Sequence, residues 1–255
     1  MNPAERFSLA GRHALVIGGT SGIGKAIATG FLQSGARVVV AGKNETKLAA
    51  AVAELKRHGD ASGIAADMRE HAAIRGLIGA TLARIGHLDI LVNCQGMTTL
   101  KPATDFTPED WDEVVGTNLR SVFFACQEAG QHMLGRGRGA ILNIGSLSSY
   151  RGWPRSALYG LAKTAVVSLT ETLASEWATK GVRVNALAPG FFMTELNRDK
   201  MAPERKALAL SRTPMGRFGE VDELVGAAIY LCSDAAGYVT GETVRVDGGF
   251  LANGL

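Results

Sequence analysis

Three side chains in the middle of the chain have the types and spacing of a proton-transfer site. Tyr159 and Lys163 are four residues apart, and Ser146 lies thirteen residues before Tyr159. Residues i and i+4 share one face of a helix, so the Lys163 ammonium is expected near the Tyr159 phenol. A free phenol has a pKa of about 10, and a nearby cation lowers that value. Tyr159 is therefore a candidate general acid or base, with Ser146 as hydrogen-bond partner of the reacting oxygen.

A second tyrosine competes for the same role. Tyr150 also follows Ser146, but the position four residues after it is Pro154, which carries no charge. The pairing with a cation therefore favours Tyr159 as the group that exchanges a proton.

A glycine-rich turn near the N-terminus has the composition of a phosphate-binding loop. Its sequence is Gly18-Gly19-Thr20-Ser21-Gly22-Ile23-Gly24. Glycines there permit a tight turn and let a pyrophosphate approach a helix N-terminus, where free amides and the dipole favour anions. The spacing is Gly-x-x-x-Gly-x-Gly rather than Gly-x-Gly-x-x-Gly. Because this turn follows the first predicted strand of an α/β chain, it predicts nucleotide binding.

The elements that must position these residues alternate along nearly the whole chain. Apolar runs predict strands at 13–17, 37–41, 62–66, 88–93, 140–145, 182–188 and 243–247. Helical spacing predicts helices at 22–34, near 45–58, and at 70–84, 108–134, 156–180 and 220–233. This alternation predicts one α/β domain over residues 1–255, a Rossmann-type doubly wound parallel sheet of about seven strands with helices on both faces.

Several candidate residues come directly after predicted strands. These are the turn at Gly18, Asp67, Asn93, Ser146 and Pro189. In a doubly wound sheet the ligand lies beyond the carboxyl ends of the strands. The sequence therefore predicts one ligand site at that edge.

Composition excludes several other classes of protein. The net charge is +3 with scattered basic residues, which argues against nucleic-acid binding. Three separated cysteines without Cys-x-x-Cys favour reduced thiols in a cytoplasmic setting, and the five histidines show no metal-ligand spacing, so no metal site is predicted. No signal-peptide pattern and no apolar run of about 20 residues is found, so no membrane association is predicted. The expected partner is a small-molecule substrate.

In order and spacing, these motifs resemble the short-chain dehydrogenase/reductase family over nearly all 255 residues. Two positions depart from the family pattern: Ile17 replaces the usual Thr before the first glycine, and Cys94-Gln95 replaces the usual Asn-Ala. Within the family the chain looks most similar to sugar-acid dehydrogenases of the gluconate and deoxygluconate type. The matching positions are Gly18, Gly22, Gly24, Asp67, Asn93, Gly96, Asn118, Ser146, Tyr159, Lys163, Pro189, Gly190 and Thr194.

The resemblance implies reversible NAD(P)-dependent hydride transfer between a secondary alcohol and a ketone. It implies that Tyr159 exchanges the substrate proton, Ser146 stabilises the substrate oxygen, Lys163 keeps the phenol acidic and Asn118 holds a proton-relay water. The cofactor-binding residues expected are Gly18, Thr20, Ser21, Gly22, Ile23, Gly24, Lys43, Asn44, Asp67, Met68, Asn93, Gly96, Tyr159, Lys163, Pro189, Gly190, Phe192 and Thr194.

The charge after the second strand bears on the choice between NAD and NADP. An acid there would bind the ribose 2′-hydroxyl and repel a 2′-phosphate. This chain has Gly42-Lys43-Asn44, and the first carboxylate is Glu45. The cation at Lys43 predicts a preference for NADP(H), although Ser21 stands where many NADP-using relatives carry a basic residue.

The substrate prediction depends on the loop between Ser146 and Tyr159. Arginine binds carboxylates through paired hydrogen bonds, and Trp can stack on the apolar face of a sugar. A sugar, polyol or sugar acid is therefore predicted, with a substrate lid near 191–211 that includes Glu195, Asn197, Arg198 and Asp199. The substrate residues expected are Ser146, Ser148, Arg151, Trp153 and Tyr159.

Alternatives remain at this point. A 3-oxoacyl-thioester (acyl-carrier-protein) reductase would share every catalytic residue named above, and the loop arginines could instead face solvent or a neighbouring subunit. A catalytically idle nucleotide-binding regulatory protein is disfavoured because Ser146, Tyr159 and Lys163 are all present. The resemblance also implies a homotetramer, with the predicted helices 108–134 and 156–180 at one interface and the tail 250–255 at another.

Overall fold

A computed structural model describes residues 2–194 and 201–253, and these residues form one parallel sheet of seven strands. The strand order is β3-β2-β1-β4-β5-β6-β7. The strands are β1 (His13–Ile17), β2 (Arg37–Gly42), β3 (Ala61–Ala65), β4 (Ile90–Asn93), β5 (Gly139–Ile144), β6 (Val182–Pro189) and β7 (Thr243–Val246). The prediction of a doubly wound Rossmann-type sheet is confirmed.

Helices cover both faces of this sheet. They are α1 (Gly22–Gln33), α2 (Glu45–Leu55), α3 (His71–Ile85), α4 (Pro108–Val115), α5 (Ser121–Arg136), α6 (Ala157–Trp177), α7 (Pro203–Arg212) and α8 (Val225–Cys232). No helix within the described ranges has the length and apolarity that crossing a bilayer requires.

Two hydrophobic cores lie on opposite faces of the sheet because successive strand residues point to opposite sides. In β1, Leu15 and Ile17 pack with α3, α5 and α6. Ala14 and Val16 pack with α1 and α8. Burial on both faces explains why the strands are continuous apolar runs rather than alternating ones.

The long helix predicted at 108–134 is interrupted. A π-helical segment, Gly116–Arg120, separates α4 from α5. Inside the predicted lid, residues Pro203–Arg212 form α7, which was not predicted as a helix. The lid residues 195–200 lie outside the described part of the chain.

The switch point of the sheet lies between β1 and β4. β1 pairs with β2 on one side and with β4 on the other, so the connections after β1 and β4 diverge at their carboxyl ends. This divergence opens the crevice in which doubly wound folds bind ligands.

Candidate active site

Ser146 and Tyr159 meet at the carboxyl end of β5. Ser146 follows the strand and Tyr159 lies in the first turn of α6, and the Ser146 side chain lies close enough to lower the pKa of the Tyr159 phenol. The loop after β5 is tied to α6, since the Ser149 hydroxyl donates to the Lys163 carbonyl at 2.7 Å. The Ser148 amide donates to Ser146 Oγ at 3.1 Å. The structure therefore brings together the two groups that the sequence predicted to act on one oxygen.

Lys163 lies one turn after Tyr159 and is almost fully buried. Its Nζ donates to the Ile144 carbonyl at 2.7 Å and is 5.8 Å from the centroid of the Tyr159 ring. Burial lowers the pKa of Lys163 from 10.5 to about 8. A buried ammonium loses its hydration, so the neutral form is favoured.

The sequence predicted that Lys163 lowers the pKa of Tyr159, whereas in the structure the pKa of Tyr159 is raised. Burial raises the pKa of Tyr159 above 10.0, and the nearby Ser146 hydroxyl opposes that rise only in part. The reason is that both side chains are desolvated and that Lys163 directs its ammonium to the Ile144 carbonyl. Loss of water is the main cause that sets the acidity of this phenol.

Cys94 is a neighbour of the site that sequence reasoning missed. It follows β4, and burial raises the pKa of its thiol to about 11 while the charge of Lys163 lowers it. In the sequence, Cys94 stood out only because it replaces the Asn that is usual at this position in the family. At this position the structure adds a neutral thiol beside the Lys163 ammonium.

Asn118 occupies the π-helical segment between α4 and α5. Its Nδ2 donates to the carbonyls of Val114 and Met97, each at 2.8 Å, and its Oδ1 accepts from the Met97 amide at 3.3 Å. Such π-helical insertions occur frequently at functional sites. The side chain thus fixes the loop after β4 against the start of α5.

Asn93 braces the interior of the sheet. Its Nδ2 donates to Asn143 Oδ1 at 2.9 Å, and Asn143 in turn donates to Thr170 Oγ1 at 2.9 Å. All three side chains are buried. This chain of hydrogen bonds links β4, β5 and α6, and no sequence motif pointed to Asn143 or Thr170 as its members.

The glycine turn has the shape that a pyrophosphate needs. A Cβ on Gly18 would lie 2.8 Å from the Cys94 backbone, and a Cβ on Gly24 would overlap the Gly18 carbonyl. The Ser21 side chain accepts no hydrogen bond from the first turn of α1, and that turn carries no acidic residue. The amides at this helix N-terminus are therefore suited to an anion, so the residues present fit a dinucleotide.

The end of β2 is basic, as predicted. Lys43 is exposed and lies close enough to Asp67 to lower the pKa of that carboxyl, although Arg69 is the main cause of the drop to about 2. Asp67 and Arg69 form an ion pair at 2.6 Å. The Asn44 side chain caps α2 by accepting from the Lys47 amide at 2.9 Å.

Two other predicted cofactor residues use their side chains in packing. Met68 lies in the core on the α3 face of the sheet, and Phe192 is buried and bridges Gly219. Only their main chains remain as possible cofactor contacts. Thr194 instead faces the glycine turn, since a Cβ on Gly22 would lie 3.7 Å from its methyl group.

The predicted substrate loop divides into an exposed and an aromatic part. Arg151 is exposed, whereas the Trp153 ring packs 6.0 Å from Phe191 and 5.6 Å from Phe250. Phe218 stacks on Phe191 at 6.0 Å. Sequence reasoning missed this aromatic cluster because its members come from four separate segments.

Comparison with known proteins agrees with this geometry. A family model described as enoyl-(acyl carrier protein) reductase matches residues 18–251. The chain is 40% identical to gluconate 5-dehydrogenase of Gluconobacter oxydans over 98% of both chains. It is 38% identical to 2-dehydro-3-deoxy-D-gluconate 5-dehydrogenase of Escherichia coli over 96% of this chain and 98% of that relative.

A solved structure of a gluconate 5-dehydrogenase is also similar to this chain. The crystal structure of a gluconate 5-dehydrogenase from Burkholderia cenocepacia in complex with NADP and tartrate is 41% identical, with a TM-score of 0.93 over 97% of this chain and 98% of that chain. The predicted resemblance is thereby confirmed. The chain belongs to the short-chain dehydrogenase/reductase family and is an NAD(P)-dependent oxidoreductase.

Proposed function

We propose that this enzyme interconverts a secondary alcohol and a ketone on a sugar acid, polyol or sugar, with Tyr159 as the group that exchanges the substrate proton. The observation that carries the proposal is the placement of the Ser146 side chain beside the Tyr159 phenol, with the buried Lys163 one helical turn away. The hydroxy-acid substrates named for the most similar relatives support the substrate class.

NADP(H) is the proposed cofactor, and it supplies or accepts the hydride when bound. The turn from Gly18 to Gly24 would hold its pyrophosphate, because the first turn of α1 has no side-chain cap hydrogen bond and no acidic residue. Lys43 would pair with the 2′-phosphate, and its exposure leaves the ammonium accessible. The solved relative with bound NADP supports this preference.

The proton steps belong to the protein's own side chains. In reduction, the Tyr159 hydroxyl donates its proton to the substrate oxygen while the Ser146 hydroxyl donates a hydrogen bond to that oxygen. A phenol with a raised pKa remains protonated at neutral pH and is ready to donate. In oxidation the Tyr159 hydroxyl must first lose its proton, so oxidation is expected to be faster at higher pH.

Lys163 and Asn118 are proposed to support this exchange. The Lys163 ammonium stabilises the phenolate that forms after Tyr159 has donated its proton. Asn118 holds the relay water through which a proton returns to that phenolate. The pKa of Lys163 near 8 lies close to physiological pH, so its ammonium can take part in that transfer.

The remaining parts of the proposal concern the chain as a whole. Residues 1–255 act as one catalytic domain, residues 191–211 act as a lid over the substrate, and Arg151 and Ser148 contact its polar groups. Trp153 contributes an aromatic wall that Phe191 and Phe250 hold in place. A cytoplasmic homotetramer is the proposed state of the enzyme.

A substrate screen tests this function. Purified enzyme is assayed with NADPH and NADP⁺ against polyols, gluconate and its keto acids, simple ketones and acetoacetyl thioesters, following absorbance of the reduced nicotinamide. The proposal predicts the highest kcat/KM on a polyhydroxylated acid or polyol. Highest kcat/KM on the thioester would overturn it in favour of a 3-oxoacyl-thioester reductase.

A further inference from the structure

A cluster of two histidines and one aspartate lies at the edge of the sheet opposite the active site. His13 is the first residue of β1, Asp89 immediately precedes β4, and His87 lies two residues earlier. β1 and β4 are neighbours in the sheet, and the Asp89 amide donates to the His13 carbonyl at 2.9 Å. Strand pairing therefore brings together side chains that are more than seventy residues apart in sequence.

The distances within this cluster match those of a metal site. One ligand atom from each of the three residues lies within 4.8 Å of the other two. His87 Nε2 and Asp89 Oδ2 are 3.1 Å apart. Nitrogen and oxygen ligands about 2.1 Å from one tetrahedral zinc ion are themselves about 3.4 Å apart, so this pair needs little movement. The two imidazole rings are stacked with centroids 4.0 Å apart, so one ring must turn before both can direct a nitrogen at the same ion.

The hydrogen bonding of the cluster is incomplete. His13 Nδ1 is buried and has no hydrogen-bond partner among the residues that the structure describes. Asp89 is buried; its Oδ1 accepts from Arg136 at 3.0 Å and its Oδ2 accepts from the His13 amide at 2.9 Å. A buried polar atom without a partner in the protein is rare, and this nitrogen is available to bind a ligand.

The charges around the cluster allow a cation. Asp89 is held as a carboxylate, because the His13 amide, Arg136 and His87 together keep its pKa below the ordinary value despite burial. Arg136 opposes a cation, but it is directed to Oδ1 and to the Leu88 carbonyl, leaving Oδ2 on the side of the histidines. Two imidazoles and one carboxylate are the ligand set that zinc and cobalt accept.

We propose that His13, His87 and Asp89 bind a divalent transition-metal ion such as Zn²⁺ or Co²⁺, with water completing the coordination. The ion would connect the start of β1 to the loop before β4. It would stabilise the fold without taking part in hydride transfer, since the catalytic residues lie at the other edge of the sheet. Sequence spacing predicted no metal site because these ligands become neighbours only through the strand order.

The experiment uses the full chain without an affinity tag. Co²⁺ is titrated while its visible d–d absorption is recorded, and Zn²⁺ binding is measured by calorimetry. Saturable binding of one ion per chain is expected, with Zn²⁺ raising the melting temperature. His13→Gln and His87→Gln should each weaken binding by tenfold or more and remove the thermal shift. His58→Gln is the matched control, because His58 is exposed in the turn after α2 and is not part of the cluster.

Asp89 is left unchanged because its carboxylate also holds the His13 amide and Arg136. NADPH binding and the metal-free melting temperature of each variant report whether it is folded. If His13→Gln does not fold, His87→Gln decides alone, since His87 lies in a loop and is only partly buried. Absence of saturable binding, unchanged affinity in His87→Gln, or a sulfur-to-cobalt charge-transfer band would each overturn the proposal.

Discussion

The acidity of the residues at the site depends on how much water each has lost. Tyr159 and Lys163 both shift toward their neutral forms, the phenol by a raised pKa and the ammonium by a pKa lowered to about 8. The sequence predicted which residues meet, because helical spacing and the position after β5 determine that. It could not predict the shift, because burial depends on Cys94 and on the strand ends packed around Lys163.

The buried Lys163 should make stability depend on pH. Its folded-state pKa of about 8 lies below the ordinary 10.5, a difference of about 3 kcal/mol. Between these values the unfolded chain binds more protons, so the free energy of unfolding rises with pH relative to Lys163→Met. Denaturant unfolding of both proteins near pH 7 and near pH 10 measures this. An equal difference at the two pH values would contradict the burial argument.

Lys43 should determine the choice between the two nicotinamide cofactors. Removing its charge in Lys43→Ala is expected to lower kcat/KM for NADPH by about tenfold and to leave kcat/KM for NADH nearly unchanged. Lys47→Ala is the control, because Lys47 is an exposed lysine one turn later on α2. Steady-state kinetics with both cofactors measures the effect. A wild-type preference for NADH would refute the assignment of Lys43.

Among the structural elements, the turn between β1 and α1 has the strictest requirement for small residues. Gly24→Ala would place a methyl group against the Gly18 carbonyl and so displace the turn. NADPH binding should weaken by at least tenfold, as measured by fluorescence titration. Gly76→Ala on α3 is the control, because a Cβ there meets nothing within 4 Å. That variant should bind NADPH normally and be more stable by about 0.5–1 kcal/mol; normal binding by Gly24→Ala would contradict the account.

Some elements were predictable from the sequence and others were not. β1 has the predicted bounds because a strand buried on both faces is an apolar run ended by glycine. The π-helical segment Gly116–Arg120 is only five residues long, which is too short for the spacing of apolar residues to distinguish it from α-helix. α7 did have a signal, since Pro203 opens it and a run of strong helix formers from Glu204 to Leu208 follows.

At the scale of the whole molecule, the sheet order decides which distant residues become neighbours. It brings Ser146, Tyr159 and the glycine turn to one edge, and His13 and Asp89 to the other. The first set was predictable because carboxyl ends of parallel strands share an edge. The second was not, because it requires knowing that β1 pairs with β4.

The surface of the helices α4, α5 and α6 supports the proposed tetramer. Trp111, Phe123 and Leu161 on these helices are 46%, 41% and 47% exposed. Light scattering should give a mass near four times 26.8 kDa. Phe123→Arg should reduce that mass, whereas Leu208→Arg on α7 should not. A monomeric wild-type enzyme would contradict the prediction.

The exchange of a proton by Tyr159 is tested most directly by Tyr159→Phe, with Tyr150→Phe as the matched control. Tyr150 lies in the loop between Ser146 and Tyr159 and is exposed. The account predicts that Tyr159→Phe lowers kcat by at least about a thousandfold while the Kd for NADPH changes less than about threefold. Tyr150→Phe should keep nearly full activity. Retained turnover in Tyr159→Phe, with loss in Tyr150→Phe, would contradict the account.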